Sequence, residues 1–333
     1  LTAPTARDVV AKISEIGSLP QTLSAVLKVL NNSRAGVDEI ADVISKDISL
    51  TSRVLKMVNS VQFSRRRKVV KISEAIVVLG LNSVKVLTLS SSIFGLAADK
   101  ESFKKFNIKR IWRHLIEVAA SARNLSAEIG FRDPEEAFIS GILHDIGIVL
   151  LLLYSPEKYY EVIEKVRTEP TGILEIEKDI LGTTHTEVGA EIINLWKLPP
   201  QLAYVTANHH AYERENNIGE EMTLCDIVAL ADRLSLGPYD DCYPNIEENF
   251  VAIHKICGRL GVSSEIVNRI RKRSILESIQ LAEYLELDVG DLIEILAEAN
   301  DKLAELYYSL ERIYLEKIRL QEILNNSKKS VSV

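Results

Sequence analysis

The sequence predicts an all-α protein: a helical N-terminal part, a second helical domain, and a long C-terminal helix patterned like a coiled coil. Three observations predict it. Apolar residues recur at three- and four-residue steps along nearly every segment, the period of a helix with one buried face. Helix-start signals precede these segments, Asp133-Pro134 and Thr184-x-x-Glu187 being the clearest. Hydrophobic content is 47% against 6% aromatic, so the cores must be aliphatic.

In chain order, residues 5–16 and 21–31 read as short helices separated by Ser18-Leu19-Pro20. Val37 to Ile44 and Leu50 to Ser60 follow with the same steps. After Ser73, the stretch AIVVLGLNSVKVLTLSSSIF holds two helices, with a break at Gly80 and Asn82-Ser83. Its β-branched run from Ala75 to Leu79 suits a strand as well. The polar segment Asp99 to Asn107 marks a boundary. Helices are expected at about 108–129, 134–154, 156–167, 171–180, 184–196, 200–211 and 223–235. A proline-containing loop spans 236–248, with two or three helices between Asn249 and Leu287.

The last segment differs. Leu296, Ala299, Leu303, Leu306, Leu310, Ile313, Leu320 and Leu324 keep alternating steps of three and four, broken at Lys317. That is a heptad seam, suited to a homodimer through 296–324 or to a connection with a downstream signalling partner. The alternative is one amphipathic helix docked on its own domain. The expected parts are therefore 1–105, 106–245, 246–290, 291–326 and a polar tail, 327–333.

A net charge of −7 argues against DNA and anionic membranes as partners. Cys225, Cys242 and Cys257 show no C-x-x-C spacing, which suits free thiols in a reducing cytoplasm. LTAPTARDVV lacks the basic-then-apolar plan of a signal peptide. Residues 137–154 are apolar enough to suggest a membrane span, yet carry His144 and Asp145 at their middle. An ionised carboxylate in lipid is costly, so a buried central helix of a soluble chain is expected.

Five of the six histidines form an ordered series with two aspartates: His114, His144-Asp145, His185, His209-His210 and Asp232. Any one of them reads as a packed or surface residue. Together they read as a metal site, because imidazole and carboxylate hold Zn, Fe, Mn or Ni. Burying His144 and Asp145 in an apolar helix is expensive unless a cation pairs them. Gly141 and Gly147 flank the pair and admit a close neighbour.

This order resembles the signature of the HD superfamily, and within it the chain is similar to HDOD proteins. The resemblance rests on GSLPQTLSAVLKVLNN, ISKDISLTSRVLKMVNSVQF, ISEAIVVLGLNSVKVLTL, EEAFISGILHDIGIVLLLLY and HTEVGAEIINLWKLPPQL, the last followed by the HH pair. It runs from about Ile16 to Leu236, and Asp47-Ile48 departs from the family's usual Asp-Pro. It implies an HD-like helical domain with His114, His144, Asp145 and Asp232 as the core ligands of a divalent metal. The binuclear branch adds histidines at the positions of His185, His209 and His210, so the site takes one ion or two.

The resemblance also carries two departures. Active cyclic-di-GMP phosphodiesterases of the HD-GYP branch show HDxGK, whereas this chain has His144-Asp145-Ile146-Gly147-Ile148. The GYP segment is missing too, since AYERENNIG follows His210. Phosphodiester cleavage needs positive charge aimed at phosphate oxygens, and Ile148 supplies none. The expectation is a non-catalytic regulatory module holding metal, with a nucleotide as a further ligand class. A metal-dependent phosphohydrolase acting on a nucleotide or cyclic dinucleotide is the rival.

Weaker signals remain. Arg65-Arg66-Arg67-Lys68, near Arg53, Lys56 and Lys71, reads as a solvated loop before it reads as an anion site. His254 stands outside the series, and Trp112 and Trp196 read as packing residues.

Overall fold

Helix signals in the sequence become fourteen helices between Ala6 and Tyr284 in the computed structural model, and no strand occurs among the described residues. Those residues are 4–16, 29, 36–59, 68–80, 84, 90, 106–169, 171–212, 219–235, 246–290, 314–315 and 317–320. Most of the expected helix at 21–31, Arg65 to Arg67, most of the 99–107 boundary and the 236–248 loop, and the seam from Leu296 to Ile313 and at Leu324 lie outside them. Two compact units are present, Leu1–Asp288 and Val289–Val333. In the second, residues 314–315 and 317–320 are helical, with Tyr314, Leu315, Ile318 and Leu320 exposed.

The first unit begins with α1 (Ala6–Ile16), α2 (Val37–Ser45), α3 (Ile48–Val58) and α4 (Ile72–Leu79). Asp47 caps α3 by accepting the Leu50 N–H at 2.9 Å. Ile48 occupies the first helical position, where the family's proline would fit, and is almost wholly exposed. The Ala75–Leu79 run is helical, and Ile72, Ala75, Ile76 and Leu79 form one buried stripe along α4. Packing overrides β-branched propensity here. Gly80, at φ 81°, ends the helix.

The core is organised around α5 (Ile108–Glu128), a helix buried along most of its length. It packs against α6 (Pro134–Leu143), α12 (Glu220–Leu234) and α14 (Ser264–Tyr284). Ala119 lets α6 approach so closely that a Cβ on Gly141 would lie 2.6 Å from the Ala119 Cα. Beyond α6 come α7 (Ile146–Tyr154), α8 (Pro156–Thr168), α9 (Ile173–Leu181), α10 (His185–Leu195) and α11 (Pro200–Asn208), with α13 (Ile246–Leu260) after α12. α10 packs on α7 and α11, and α1 rests on α7 and α10. Trp112 and Trp196 are buried and His254 is exposed.

One expected element is corrected. Residues 134–154 are two helices, not one, interrupted at His144 and Asp145. Asp145 takes φ −109° and ψ 18°, off the helical path, and serves as the N-cap position of α7. The apolar stretch as a whole is long enough to cross a membrane, but its most apolar window is 83% buried inside the protein.

Candidate metal centre

Each candidate ligand is delivered by an element end or by the central helix. His114 lies about two turns into α5, counted from the N-cap position held by Asn107. Asp133 caps α6 by accepting the Glu135 and Glu136 N–H groups, and α6 then runs to His144 at its C-cap. Gly182, at φ 78°, turns the chain after α9. The capping box of Thr184 and Glu187 then opens α10 with His185 as its first residue. α11 stops at Asn208, leaving His209 as its C-cap, and Asp232 stands in the last turn of α12.

All seven come together as two donor groups sharing one carboxylate. His114, His144 and Asp232 form one group; Asp145, His185, His209 and His210 form the other. Asp145 Oδ2 faces the first, 3.4 Å from His114 Nε2 and 3.3 Å from His144 Nε2. Asp145 Oδ1 faces the second, 3.4 Å from His185 Nε2 and 3.3 Å from His209 Nε2. Asp232 Oδ1 closes the first group at 3.3 Å from His114 Nε2 and 3.8 Å from His144 Nε2. His185 Nε2 and His210 Nε2 stand 3.1 Å apart. Six of the seven residues are buried and His210 is half-buried.

The hydrogen bonds behind the rings decide which nitrogens face inward as acceptors. His144 Nδ1–H donates to the Gly141 carbonyl at 2.7 Å, and His209 Nδ1–H to the Thr206 carbonyl at 2.9 Å. A carbonyl only accepts, so both rings carry their proton on Nδ1 and present a lone pair at Nε2. His185 Nδ1–H donates to Glu177 Oε2 at 2.8 Å. His114 Nδ1–H donates to Ser235 Oγ at 2.6 Å, and that hydroxyl donates to the Asp232 carbonyl at 3.1 Å. These are the outer partners that orient metal-binding imidazoles.

A cation fits this donor set on physical grounds. Asp145 Oδ1 and His209 Nε2 are both buried acceptors without a hydrogen-bond partner. Two such acceptors 3.3 Å apart repel unless positive charge lies between them. Protons are the substitute in its absence. Burial pulls His144 down, but the charge and hydrogen bonds of Asp145 and Asp232 push it up to about 10. His114 and His185 also rise, against the pull of burial, through their carboxylate neighbours. Burial and the nearby rings push His209 and His210 down. Burial raises Asp145 and Asp232, yet their imidazole partners hold both well below the usual carboxylate range.

The sequence did not point to Glu177 or Ser235. Glu177 is wholly buried on the face of α9 that carries Ile173 and Ile176, and an acid on an apolar stripe was its available signal. Arg53 and Lys56, from the basic cluster, pair with Glu286. Cys225 and Cys257 are free thiols.

The HDOD domain model matches residues 16–212, more than half of the chain. An uncharacterized protein of Treponema pallidum is 26% identical over 212 residues, 63% of this chain and 40% of that protein. Ribonuclease Y of Mycoplasma genitalium is 25% identical over 199 residues, 59% of this chain and 32% of that protein. The chain thus spans less than half the length of these curated relatives. An HDOD domain protein of unknown function from Geobacter sulfurreducens superposes with a TM-score of 0.63, over 84% of this chain and 96% of that one, at 24% identity. A candidate phosphohydrolase from Shewanella amazonensis does so at 0.64, over 85% and 98%, also at 24% identity. These structures share the fold. The matched span holds every donor except Asp232, which α12 returns to the same cluster; the chain belongs to the HDOD domain family.

Proposed function

We propose that this chain is a signal-transduction regulatory module built on an HD-type centre with two ion positions. In this reading it does not turn over cyclic dinucleotides. Residues 296–324 pass its state, as a coiled coil, to a second subunit or an output domain. Membership of the HDOD family supports a role that is either regulatory or phosphohydrolytic, and one observation favours the first. Ile148 stands where the HDxGK pattern carries its lysine and is 1% exposed, so a buried hydrocarbon replaces the cation beside an intact donor set. Bound divalent metal would supply Lewis-acid charge at the centre. His210, half-buried, is where a nucleotide would reach the donor cluster.

The second reading, a metal-dependent phosphohydrolase, is favoured by the complete donor set and by the similarity to ribonuclease Y. Turnover separates the two. Protein loaded with Mn²⁺ or Fe²⁺ is incubated with cyclic-di-GMP, a short RNA and a generic phosphodiester, beside the His144→Ala, Asp145→Ala double variant. The regulatory reading expects no difference between them. Turnover lost in the double variant establishes the hydrolase instead.

A further inference from the structure

We infer that Glu177 is a positioning residue for the second ion position, acting through His185 and held in place by Tyr159. The inference deepens the two-ion reading and rests on it. Glu177 Oε2 accepts both the backbone N–H and the Nδ1–H of His185, each at 2.8 Å. Its Oε1 accepts the hydroxyl of Tyr159, also at 2.8 Å, and both side chains are wholly buried. A buried carboxylate is costly unless it is compensated. The neighbouring positions on this face, Ile173 and Ile176, show what α9 needs for packing alone.

The two positions differ in charge, and Glu177 corrects the difference. The first group has carboxylate oxygens from Asp145 and Asp232 for two imidazoles. The second has one shared carboxylate, Asp145, for three imidazoles. Among the hydrogen bonds behind the rings, His144, His209 and His114 donate to neutral oxygens of Gly141, Thr206 and Ser235. His185 donates to an anion. An anionic acceptor on Nδ1–H makes Nε2 a stronger donor to a cation, and it returns negative charge to the poorer position. Gly182 builds the relay locally, turning the chain so that His185 lies against Glu177, eight residues before it.

Metal affinity is the readout. The full chain, stripped by chelator, is titrated with Mn²⁺ alone, following bound ions per chain and the electron paramagnetic resonance signal. Wild type is expected to bind two ions and to give the spectrum of a coupled pair. Glu177→Gln removes the charge at nearly constant volume. It should weaken the second ion by about 10- to 100-fold, leave the first unchanged, and give isolated-ion spectra at concentrations that pair the wild type. If Glu177→Gln fails to fold, Tyr159→Phe takes its place, with a smaller weakening of the same ion. Unchanged binding of both ions, or equal weakening of both, overturns the relay and leaves Glu177 a structural cap. A wild type that binds one ion overturns the two-position reading itself.

Discussion

Gly147 packs its α-carbon directly against the backbone carbonyl of His185, and a Cβ added at Gly147 would overlap that oxygen. The contact joins the first turn of α7 to the first turn of α10, and so sets Asp145 against His185. Gly147→Ala therefore has no flexible side chain to push aside. The expected cost is at least about 3 kcal/mol, the upper end of overpacking, with loss of bound metal. Thermal denaturation beside metal analysis checks it, and a variant melting within a degree or two of wild type contradicts the contact.

Asp145 faces both groups, through Oδ2 and Oδ1, whereas Asp232 falls in the first. Asp145→Ala is expected to empty both positions. Asp232→Ala should weaken the first and leave the second occupied. Each loss should exceed the roughly 10- to 100-fold typical of removing an outer partner. Ion counts per chain on the two purified variants decide it, and equal counts in both would argue against the sharing of Asp145.

Chelated protein should lose stability as the pH rises. The folded His144 titrates at about 10, above its ordinary 6.5, so its contribution is fully present below 6.5 and is lost as pH climbs through 10. His114 and His185 shift in the same direction. His209 and His210 shift down, so their contribution runs the other way and grows as pH rises through 6.5. At about 1.4 kcal/mol per unit, the loss due to His144 is at most roughly 5 kcal/mol. Denaturant melts of chelated wild type and His144→Gln between pH 6.5 and 10 should converge with rising pH. Parallel curves would remove the assignment.

Much of the site was legible because five of its seven donors are histidines, of which the chain has six, and the structure brings those five together with Asp145 and Asp232. The helix ends that aim them were legible too, through Asp133 and the Thr184–Glu187 capping box. The break at His144-Asp145 was not: apolar residues continue on both sides and leave no periodicity to interrupt. Gly141 and Gly147 were its trace, and both prove to be points of backbone contact. The acceptors behind His144 and His209 are backbone carbonyls, which no residue letter encodes.

Hydrolysis of cyclic-di-GMP is expected to be absent or very slow. Loss of one charged contact to a developing oxyanion costs about 10²- to 10³-fold in rate, and Ile148 removes that contact. Ile148→Lys is not expected to restore turnover, since the GYP segment remains missing. A sensitive product assay on metal-loaded wild type tests this, with robust turnover as the contrary result.

The C-terminal helix is expected to form a parallel homodimer through residues 296–324. Each buried Leu or Ile contributes about 1.5–3 kcal/mol, so several seam pairs suffice to hold two chains. Truncation after Val289 should leave a folded monomer that keeps its metal. Light scattering at tens of micromolar that finds the intact chain monomeric would count against the dimer and favour a helix folded back on its own domain.

In the proposed reading, seven side chains from six helical segments, His114 to Asp232, form one metal centre with two ion positions. Metal analysis of protein purified without chelators tests it most directly. About two divalent ions per chain in wild type, and none in the His144→Ala, Asp145→Ala variant, is the result predicted. Wild-type protein without stoichiometric metal, even after incubation with Mn²⁺, Fe²⁺ and Zn²⁺ in turn, would contradict it.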